Sequence, residues 1–566
     1  MKRAGYVVML RQSSDAEQSV VERLRGREGW TIIAEQADAV VAAPDALEVK
    51  RVGRSFILGA LFERQAHGSA AKKFIGGDIT QSYWGAYVAV IAGSDGVVVM
   101  RDPSGRMPCF SACWRGWRVF VGDLQDLQAL GWKASGIAWS VLGEFLQEPR
   151  MHDGRTALDG VCELLPGQSM GASGETNLVW SPADYVHDEI DVDDARELVR
   201  DTVMHCVGTW AARYERILHL LSGGLDSSVV LACIAENGLA GRVRCLNFTG
   251  GDGSELDEGR YAREAADRAG VELVQRQFKP RQVQLGRARA IRNTPRPSGY
   301  AYSIENDDFE LEAAEEWRAD ACFSAAGGDG LFYQLRAKIY CADYLQIRGL
   351  RPGLARVAYE SALLTRSSVW SMLATGLRFR EGAFDPAAAA RNPYLADGVG
   401  AEAQGWFDRH PWARATKALP PGKKLHLWAL LDALNFTYNY RRAEIAETIL
   451  PLVSQPIIEA MLRVPSFVLA RGGTDRTLVR EAFADKVPAS IINRAGKGAM
   501  DGYYAELCCA NAPIIRDRLL GGVLASKGLL NTERIAKVLP VQGEPADGAE
   551  ADLLKLFAAE VWAEAW

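Results

Sequence analysis

Short stretches in which apolar and polar residues alternate, separated by glycine, run through the chain up to about residue 180. Clear examples are "YWGAYVAVIAG", "GVVVMRD" and "WRVFVGDL". Alternation with a period of two residues is typical of strands that have one buried face. The pattern therefore predicts a region of paired strands joined by turns.

Proline and a run of acidic residues interrupt this pattern in "PADYVHDEIDVDD", residues 182–194. The segment that follows, "ARELVRDTVMHCVGTWAARY", places its apolar residues at helical spacing. A change of composition followed by a change of period is typical of a linker between domains. We therefore predict a first domain over residues 1–185 and a second over residues 195–566.

Strands and helices alternate in the next part of the chain. "RILHLL" and "RVRCLNF" indicate strands, and "SSVVLACIAEN" between them indicates a helix that ends at Gly238. A second helix ends at Gly270, and "ELVQRQF" and "ACFSA" add two strands. This rhythm predicts an α/β fold with a parallel sheet, whose ligand lies at the carboxyl ends of the strands. Residues 335–470 have mainly helical spacing.

Composition excludes several classes of protein. A net charge of −6 argues against a general nucleic-acid binder, which needs a basic face to neutralise phosphates. The ten cysteines form no CxxC pair, so we expect reduced thiols and no zinc site. No apolar run approaches the roughly 18 residues of a membrane span, and the N-terminus lacks the features of a signal peptide. We expect a cytoplasmic protein without a membrane partner.

The segment "LSGGLDSS", residues 221–228, joins a predicted strand to a predicted helix. Small residues after the strand allow the backbone to turn sharply and to expose its N–H groups at the helix start. Such donors and the positive end of the helix form a seat for phosphate. No lysine follows the glycines, so this is not the GxxxxGK[ST] loop. The predicted phosphate-binding residues are Leu221, Ser222, Gly223, Gly224, Asp226, Ser227 and Ser228.

Two carboxylates accompany this predicted seat. A bare carboxylate at Asp226 would repel phosphate unless a divalent cation lay between them. "SAAGGDGLF" places Gly328 and Asp329 after another strand of the same domain, where a second carboxylate can share the metal ion. The sequence therefore implies Mg²⁺, with Asp226 and Asp329 as its ligands. The alternative is an ordinary glycine turn into a serine-capped helix.

"LSGGLDSS" resembles the pyrophosphate loop of the ATP pyrophosphatase superfamily, and the order of elements resembles the asparagine synthetase family. "YWGAYVAV", "MRDPSGRMPCF" and "VFVGDLQDL" resemble the amidotransferase domain of that family, and "PLVSQPIIEAML" and "TLVREAFADKVPASIINRAGKG" follow in family order. The resemblance implies an amidotransferase-like α+β sandwich, then an ATP-pyrophosphatase-type parallel-sheet domain with a large helical part. It also implies ATP and Mg²⁺ as cofactors, with Gly328 at the nucleotide.

The chain departs from this family at one place. Members that hydrolyse glutamine begin with Met-Cys, whereas this sequence begins Met1, Lys2, Arg3 and its first cysteine is Cys109. We therefore expect no ammonia from glutamine and a degenerate N-terminal domain that is retained as a scaffold. Cys109 and Cys113 are interpreted as packing residues, because a thiol without an activating base has no reason to react.

Relatives with this departure are β-lactam synthetases and the macrolactam-forming cyclases of lasso peptides, and the chain looks more like the latter. The resemblance implies that a core peptide's Asp or Glu side chain is adenylated and joined to the peptide's N-terminal amine, with release of AMP and pyrophosphate. It implies a precursor peptide as substrate and a leader-peptide-processing protease as partner. The alternatives are an amide synthetase on a small molecule, β-lactam-forming or ammonia-dependent, and a non-catalytic ATP-binding scaffold.

Three further residues are candidates for catalysis. Lys497, in "NRAGKGAMDG", resembles the family lysine that meets the phosphates and the acyl-adenylate. β-Lactam synthetases deprotonate their amine with a Tyr/Glu pair, and here Tyr440 and Glu444 are four residues apart on one predicted helix, hence on one face. The alternatives are a surface lysine in a turn and the polar side of an ordinary helix.

Overall fold

Two antiparallel sheets form the N-terminal part of the protein. The computed structural model describes residues 5–64, 79–94, 96–186, 189–250, 258–289, 294–335, 338–379, 391–415, 418–433, 441–494, 496, 498, 500–539 and 548–566. The strands of the two sheets are β1 (Val7–Arg11), β2 (Trp30–Glu35), β3 (Ala39–Pro44), β4 (Val49–Val52), β5 (Ser55–Glu63), β6 (Tyr83–Gly93), β7 (Gly96–Arg101), β8 (Phe110–Trp114), β9 (Trp117–Val121), β10 (Val161–Glu163), β11 (Gln168–Gly171) and β12 (Thr176–Leu178).

The two sheets pack face to face. One has the strand order β10-β8-β9-β1-β3-β2 and the other β12-β11-β7-β6-β5-β4. Alternate residues of β1 explain the packing: Val8 and Leu10 share a buried cluster with Phe56 of the second sheet, whereas Val7 faces the opposite cluster. The paired strands predicted from the period-two pattern are therefore confirmed. They form the α+β sandwich that the family resemblance implies. Its helices are α1 (Gln18–Arg25), α2 (Ile79–Ser82), α3 (Leu124–Ala129) and α4 (Trp139–Gln147).

A five-stranded parallel sheet forms the second part. Its strands are β13 (Ile217–Leu220), β14 (Val243–Thr249), β15 (Glu272–Gln277), β16 (Ala321–Phe323) and β17 (Glu447–Ile449), in the order β15-β14-β13-β16-β17. Strand β13 comes first in the chain, and successive strands are added on both of its sides. The strand order therefore reverses at β13, and a ligand crevice is expected at the carboxyl ends of β13 and its neighbours.

Helices cover both faces of this sheet. The helix predicted after the linker is α5 (Val192–Ala211), which begins where the Asp191 side chain accepts a hydrogen bond of 2.8 Å from the Asp193 N–H. Crossover helices α6 (Leu225–Glu236) and α7 (Gly259–Ala269) follow β13 and β14, and α7 ends at Gly270 as predicted. The next two helices are α8 (Ile304–Trp317) and α9 (Gly328–Leu331).

The described residues after 335 are mainly helical, as predicted for residues 335–470. Among the described helices, none combines the length and the apolar character needed to cross a bilayer. The helices are α10 (Tyr340–Arg348), α11 (Gly353–Thr365), α12 (Val369–Phe379), α13 (Trp406–Arg409), α14 (Pro411–Ala415), α15 (Pro421–Asp432), α16 (Gln455–Arg463), α17 (Ser466–Leu469), α18 (Thr477–Ala482), α19 (Ala489–Ile492), α20 (Asp501–Ala510), α21 (Ala512–Gly521), α22 (Val523–Ser526), α23 (Thr532–Val538) and α24 (Glu550–Ala563).

One helix prediction is wrong in its described part. Residues Arg441–Glu444 form a single 3-10 turn, and the chain then enters strand β17 instead of continuing as a helix. The 3-10 turn is tighter than the expected α-helix, and Glu447 lies on a strand. The four-residue spacing of Tyr440 and Glu444 therefore no longer implies a shared helical face. Tyr440 itself lies outside the described residues.

Candidate active site

The turn between β13 and α6 depends on glycine at residue 223. Gly223 has a φ of +82°, which side chains other than glycine rarely adopt. A Cβ on Gly223 would lie 2.7 Å from the carbonyl oxygen of Glu258 and 2.9 Å from the backbone nitrogen of Ala262. The turn is therefore pressed against the start of α7, and no side chain fits between them.

Gly224 exposes the amino-terminal end of α6. It is the N-cap residue of this 12-residue helix, and no side chain caps the free N–H groups. Unsatisfied N–H groups and the helix dipole both favour an anion at this end. The hydroxyl of Ser222 accepts a hydrogen bond of 3.2 Å from the Gly224 N–H and lies 3.0 Å from the hydroxyl of Ser227. Both hydroxyls line the cavity in front of the helix.

Two of the predicted loop residues support the turn from behind. Leu221 is fully buried, and its N–H donates to the carbonyl of Leu246 over 2.8 Å. Ser228 does not line the cavity; its hydroxyl donates to the carbonyl of Gly224 over 2.8 Å. Both residues therefore hold the loop in place and lie outside the wall of this cavity.

A buried histidine lies beneath the loop. His219 of β13 has its Nε2 atom 2.9 Å from the carbonyl oxygen of Ser227. Burial lowers the pKa of His219 to about 4, so the ring is neutral near pH 7. A neutral imidazole that donates from Nε2 fixes the first turn of α6 without adding charge under the anion site.

The loop after β16 approaches the first loop closely. Gly327 has a φ of +87°, and a Cβ on Gly328 would lie 2.9 Å from the Cβ of Asp226. Glycine is thus required at residue 328 because two protein segments touch there. The family resemblance, in contrast, implies that Gly328 contacts the nucleotide. The contact brings Asp226 and Asp329 to one side of the same cavity.

Arg476 links the two carboxylates. Its Nη1 atom lies 3.0 Å and 3.2 Å from the two carboxylate oxygens of Asp226 and 3.3 Å from an oxygen of Asp329. Burial alone would lower the pKa of Arg476, but Asp226, Asp475 and Asp329 raise it above its ordinary value. The guanidinium therefore carries its charge in the site.

The cavity in front of α6 has a volume of about 300 Å³. Its wall contains the carboxylates, the arginine and polar groups of both loops. Its lining residues include Ser222, Gly224, Asp226, Ser227, Gly327, Asp329, Arg476, Arg494 and Gly496. We call this space the phosphate cavity.

A second, mainly apolar cavity of about 220 Å³ lies on the other side of Ser222. It sits at the carboxyl ends of β13 and β14, and its wall includes Leu246, Phe248 and Phe278. The rings of Phe248 and Phe278 stack with their centroids 5.0 Å apart. The space fits a flat apolar group next to the phosphate cavity. We call it the base cavity.

Glu258 holds the segment that contains Lys497. Its Oε1 atom lies 2.6 Å from a guanidinium nitrogen of Arg494 and accepts a hydrogen bond of 2.7 Å from the Gly498 N–H. Gly496 lines the phosphate cavity, and Gly498 lines the base cavity. Lys497 lies outside the described residues.

Glu444 faces a different space. It is exposed and lines a third cavity of about 950 Å³, together with Arg106 and Arg213, at the boundary with the N-terminal sheets. Neither the phosphate cavity nor the base cavity includes it. The prediction that Glu444 shares a helical face with Tyr440 and helps to deprotonate the amine is therefore corrected, because Glu444 ends a 3-10 turn and lines this third cavity.

No cysteine lines any of these three cavities, although all ten cysteines are described. Cys109 is fully buried, and burial raises the pKa of its thiol to about 11. Cys113 is exposed at the surface of strand β8. Cys109 is therefore confirmed as a packing residue, whereas Cys113 is exposed, contrary to its interpretation as a packing residue.

The two carboxylates fit a divalent cation. Within the residues that the structure describes, no three His, Cys, Asp or Glu side chains converge as a complete metal site. Asp226 and Asp329 nevertheless share one cationic atom of Arg476, which shows that both can face a single positive charge. Carboxylate oxygens are the ligands that Mg²⁺ prefers, usually with phosphate and water in its other positions.

Two residues of this site, Arg476 and His219, are absent from the candidates that the sequence offers. The sequence also gives no sign that Glu258 contacts Arg494 and Gly498. His219 had a signal, because a histidine inside the apolar run "ILHLL" is out of place in a buried strand. Arg476 had no comparable signal in the sequence.

Comparison with known proteins identifies the family of the chain. The family model for asparagine synthase matches residues 198–566, about two thirds of the chain. A search of curated proteins returned no significant match. Enzymes of the matched family form amide bonds at the expense of ATP, generally with Mg²⁺. The chain belongs to the asparagine synthase family of ATP-dependent amide-forming ligases.

Proposed function

We propose that this enzyme closes an isopeptide ring within a ribosomally made peptide of the lasso class. A side-chain carboxylate of the core peptide attacks the α-phosphorus of ATP, and pyrophosphate leaves. The N-terminal amine of the same peptide then attacks the acyl carbon, loses a proton, and AMP leaves. The products are a macrolactam, AMP and pyrophosphate.

The two adjoining cavities suit the first step. The base cavity fits the adenine, and the phosphate cavity, on the other side of Ser222, fits the triphosphate. The uncapped N–H groups at the start of α6 would stabilise the charge that accumulates on the departing pyrophosphate. Asp226 and Asp329 would hold Mg²⁺, which neutralises this charge when it is bound.

The observation that carries the proposal is the absence of a thiol from the described cavities. An amidotransferase domain supplies ammonia through a reactive cysteine at its own cavity, and no cysteine lines the 950 Å³ cavity beside the N-terminal sheets. An amine must then come from another source. An amine within the substrate itself satisfies this need without a second active site.

Ring closure also explains how the second step can be fast. An amine and an acyl group held within one bound molecule gain about 7–11 kcal/mol over separate reactants in well-oriented systems. Enclosure of the acyl-adenylate prevents its hydrolysis by water. We assign Lys497 to the departing phosphates and Tyr440 to deprotonation of the amine, with Glu444 removed from that pair because it lines another cavity.

The proposal is tested with synthetic peptides, ATP and Mg²⁺. Each peptide carries a free N-terminal amine and one Asp or Glu at a successively greater distance from it. Mass spectrometry should show the loss of one water from at least one peptide, with one AMP formed per product. The matched controls are the same peptide with an acetylated amine and the same peptide with Asn or Gln in place of the acid; neither should cyclise.

Other outcomes separate the competing functions. Amide formation from aspartate and ammonia, or ring closure of a small amino acid, would indicate a small-molecule synthetase. ATP binding without AMP formation with any of these substrates would indicate a scaffold. Release of ADP instead of AMP would contradict the adenylation step. If the full precursor cyclises only after its leader is cut, the proposed leader-processing protease acts first.

A further inference from the structure

The position that a shared metal ion needs is contested by a side chain of the protein. One nitrogen of Arg476 contacts both carboxylates, at 3.0 Å and 3.2 Å from the oxygens of Asp226 and 3.3 Å from Asp329. A cation shared by two carboxylates must lie between them, and this is where Nη1 lies. Arg476 and a metal ion therefore compete for the same oxygens.

The protein around Arg476 restricts the movement of its side chain. Its side chain is 6% exposed, so it cannot simply turn into solvent. Its remaining anionic neighbour, Asp475, already receives a hydrogen bond of 3.0 Å from Arg480, and the Nε of Arg476 lies 3.3 Å from the same oxygen. Its backbone is held at the start of α18 with a φ of +52°. Only the outer part of the side chain is free to move.

Electrostatics then decides when a metal ion can enter. A divalent ion on the two carboxylates would repel a guanidinium that stays a few ångströms away in a poorly hydrated site. An incoming triphosphate changes this balance, because its oxygens supply the anion that the guanidinium loses. Arg476 lines the phosphate cavity and can meet such oxygens with a small displacement.

We propose that Arg476 is a built-in competitor of the metal ion, which holds Asp226 and Asp329 together until the phosphates of ATP draw it away. Metal ion and nucleotide therefore enter as one unit, and the metal ion alone binds poorly. Arg476 is a positioning residue in this scheme, because it sets the separation of the two carboxylates. The inference rests on the proposed function, since ATP is the ligand that releases the arginine.

The test measures Mn²⁺ binding by electron paramagnetic resonance of the free ion, which needs no turnover. Wild-type enzyme should bind Mn²⁺ at this site only when a non-hydrolysable ATP analogue is present. Arg476→Met should bind Mn²⁺ without nucleotide, with an affinity increased about tenfold or more. Arg476→Lys retains the positive charge and should stay close to wild type.

A second substitution locates the ion that binds. Asp329→Asn in the Arg476→Met background should remove the gained Mn²⁺ site. Because the Asp329 side chain is 47% exposed, this change should leave the fold intact. Equal affinity of wild type and Arg476→Met for Mn²⁺ without nucleotide would overturn the inference.

The wild-type protein decides the question if Arg476→Met does not fold. A Mn²⁺ site that wild type shows without nucleotide, that Asp329→Asn removes and that nucleotide does not strengthen would also overturn the inference. Failure of every variant to bind the ATP analogue would instead contradict the proposed function, whereas a gain of Mn²⁺ binding in Arg476→Met would still support the competition.

Discussion

Arg64 forms a two-point ion pair with Glu459: its two terminal nitrogens each lie 2.7 Å from one carboxylate oxygen. Arg64 follows strand β5 of the N-terminal sandwich, and Glu459 lies on α16 of the second part. Glu459 also accepts hydrogen bonds from the Trp180 indole at 2.9 Å and the Gln455 amide at 2.8 Å. One carboxylate thus holds donors from both parts of the chain.

We expect Glu459→Ala to lower the free energy of unfolding by about 2–4 kcal/mol, because it leaves a largely buried arginine and two further donors without their acceptor. Urea denaturation of purified protein measures the change. The double variant Arg64→Met, Glu459→Met should be less destabilised than Glu459→Ala. If the double variant loses as much free energy of unfolding as Glu459→Ala, or more, the stabilisation by Glu459 does not come from its ion pair with Arg64.

We expect Asp226→Asn and Asp329→Asn each to reduce AMP formation about 10²–10³-fold, because each weakens the hold on the metal ion that neutralises the departing pyrophosphate. The measurement is steady-state AMP release with a peptide that cyclises. Asp397→Asn is the matched control, since Asp397 is fully exposed and lines none of the three cavities. Wild-type rates in either active-site variant would remove that carboxylate from the assigned role.

We expect Gly223→Ala to abolish nucleotide binding for two reasons. The new Cβ would lie 2.7 Å from the Glu258 carbonyl oxygen, and alanine would have to adopt the left-handed φ of +82°. Gly238→Ala is the control: Gly238 has a φ of +73°, but a Cβ there meets nothing within 4 Å. Both changes share the backbone cost of about 1–2 kcal/mol. Calorimetry should show that Gly238→Ala binds an ATP analogue and that Gly223→Ala does not. Equal affinities of the two variants would show that the loop tolerates displacement.

We expect acid to destabilise the protein partly through His219. Its pKa is lowered to about 4 by burial, against 6.5 for the ordinary group, so the unfolded chain binds the proton first. The stabilising contribution is present above pH 6.5 and is lost as the pH falls through 4, with a slope of up to about 1.4 kcal/mol per pH unit. Chemical denaturation across this range measures it.

His219→Gln should lose this slope and retain the hydrogen-bonding amide. The difference between variant and wild type isolates His219 from His410 and His426, two further buried histidines whose pKa values burial also lowers. Parallel pH profiles for the two proteins would exclude a contribution from His219.

The sequence predicted the sheets and the glycine turn between β13 and α6 because each leaves a local pattern. Alternation in "YWGAYVAVIAG" follows from one buried face, and the glycines of "LSGG" follow from a turn that has no room for a Cβ. Both signals lie within a dozen residues of the feature that they report.

The remaining parts of the site depend on contacts between distant segments. Arg476 is 250 residues from Asp226, and nothing local distinguishes it among 65 lysines and arginines. Strand β17 has three residues, too few for a period to show, so the helical spacing around Glu444 was misleading. Tertiary pairing with β16 sets the structure of that segment.

The contact between Arg106 and strand β17 bears on how the edge of the parallel sheet is protected. Arg106 donates to the Thr448 carbonyl over 3.2 Å, and β17 is the outermost strand of the parallel sheet. Removal of the N-terminal sandwich would expose the unpaired backbone groups of this edge strand, which could then pair with strands of other chains. The sandwich therefore shields the margin of the parallel sheet, and this protection does not depend on any chemistry of the sandwich itself.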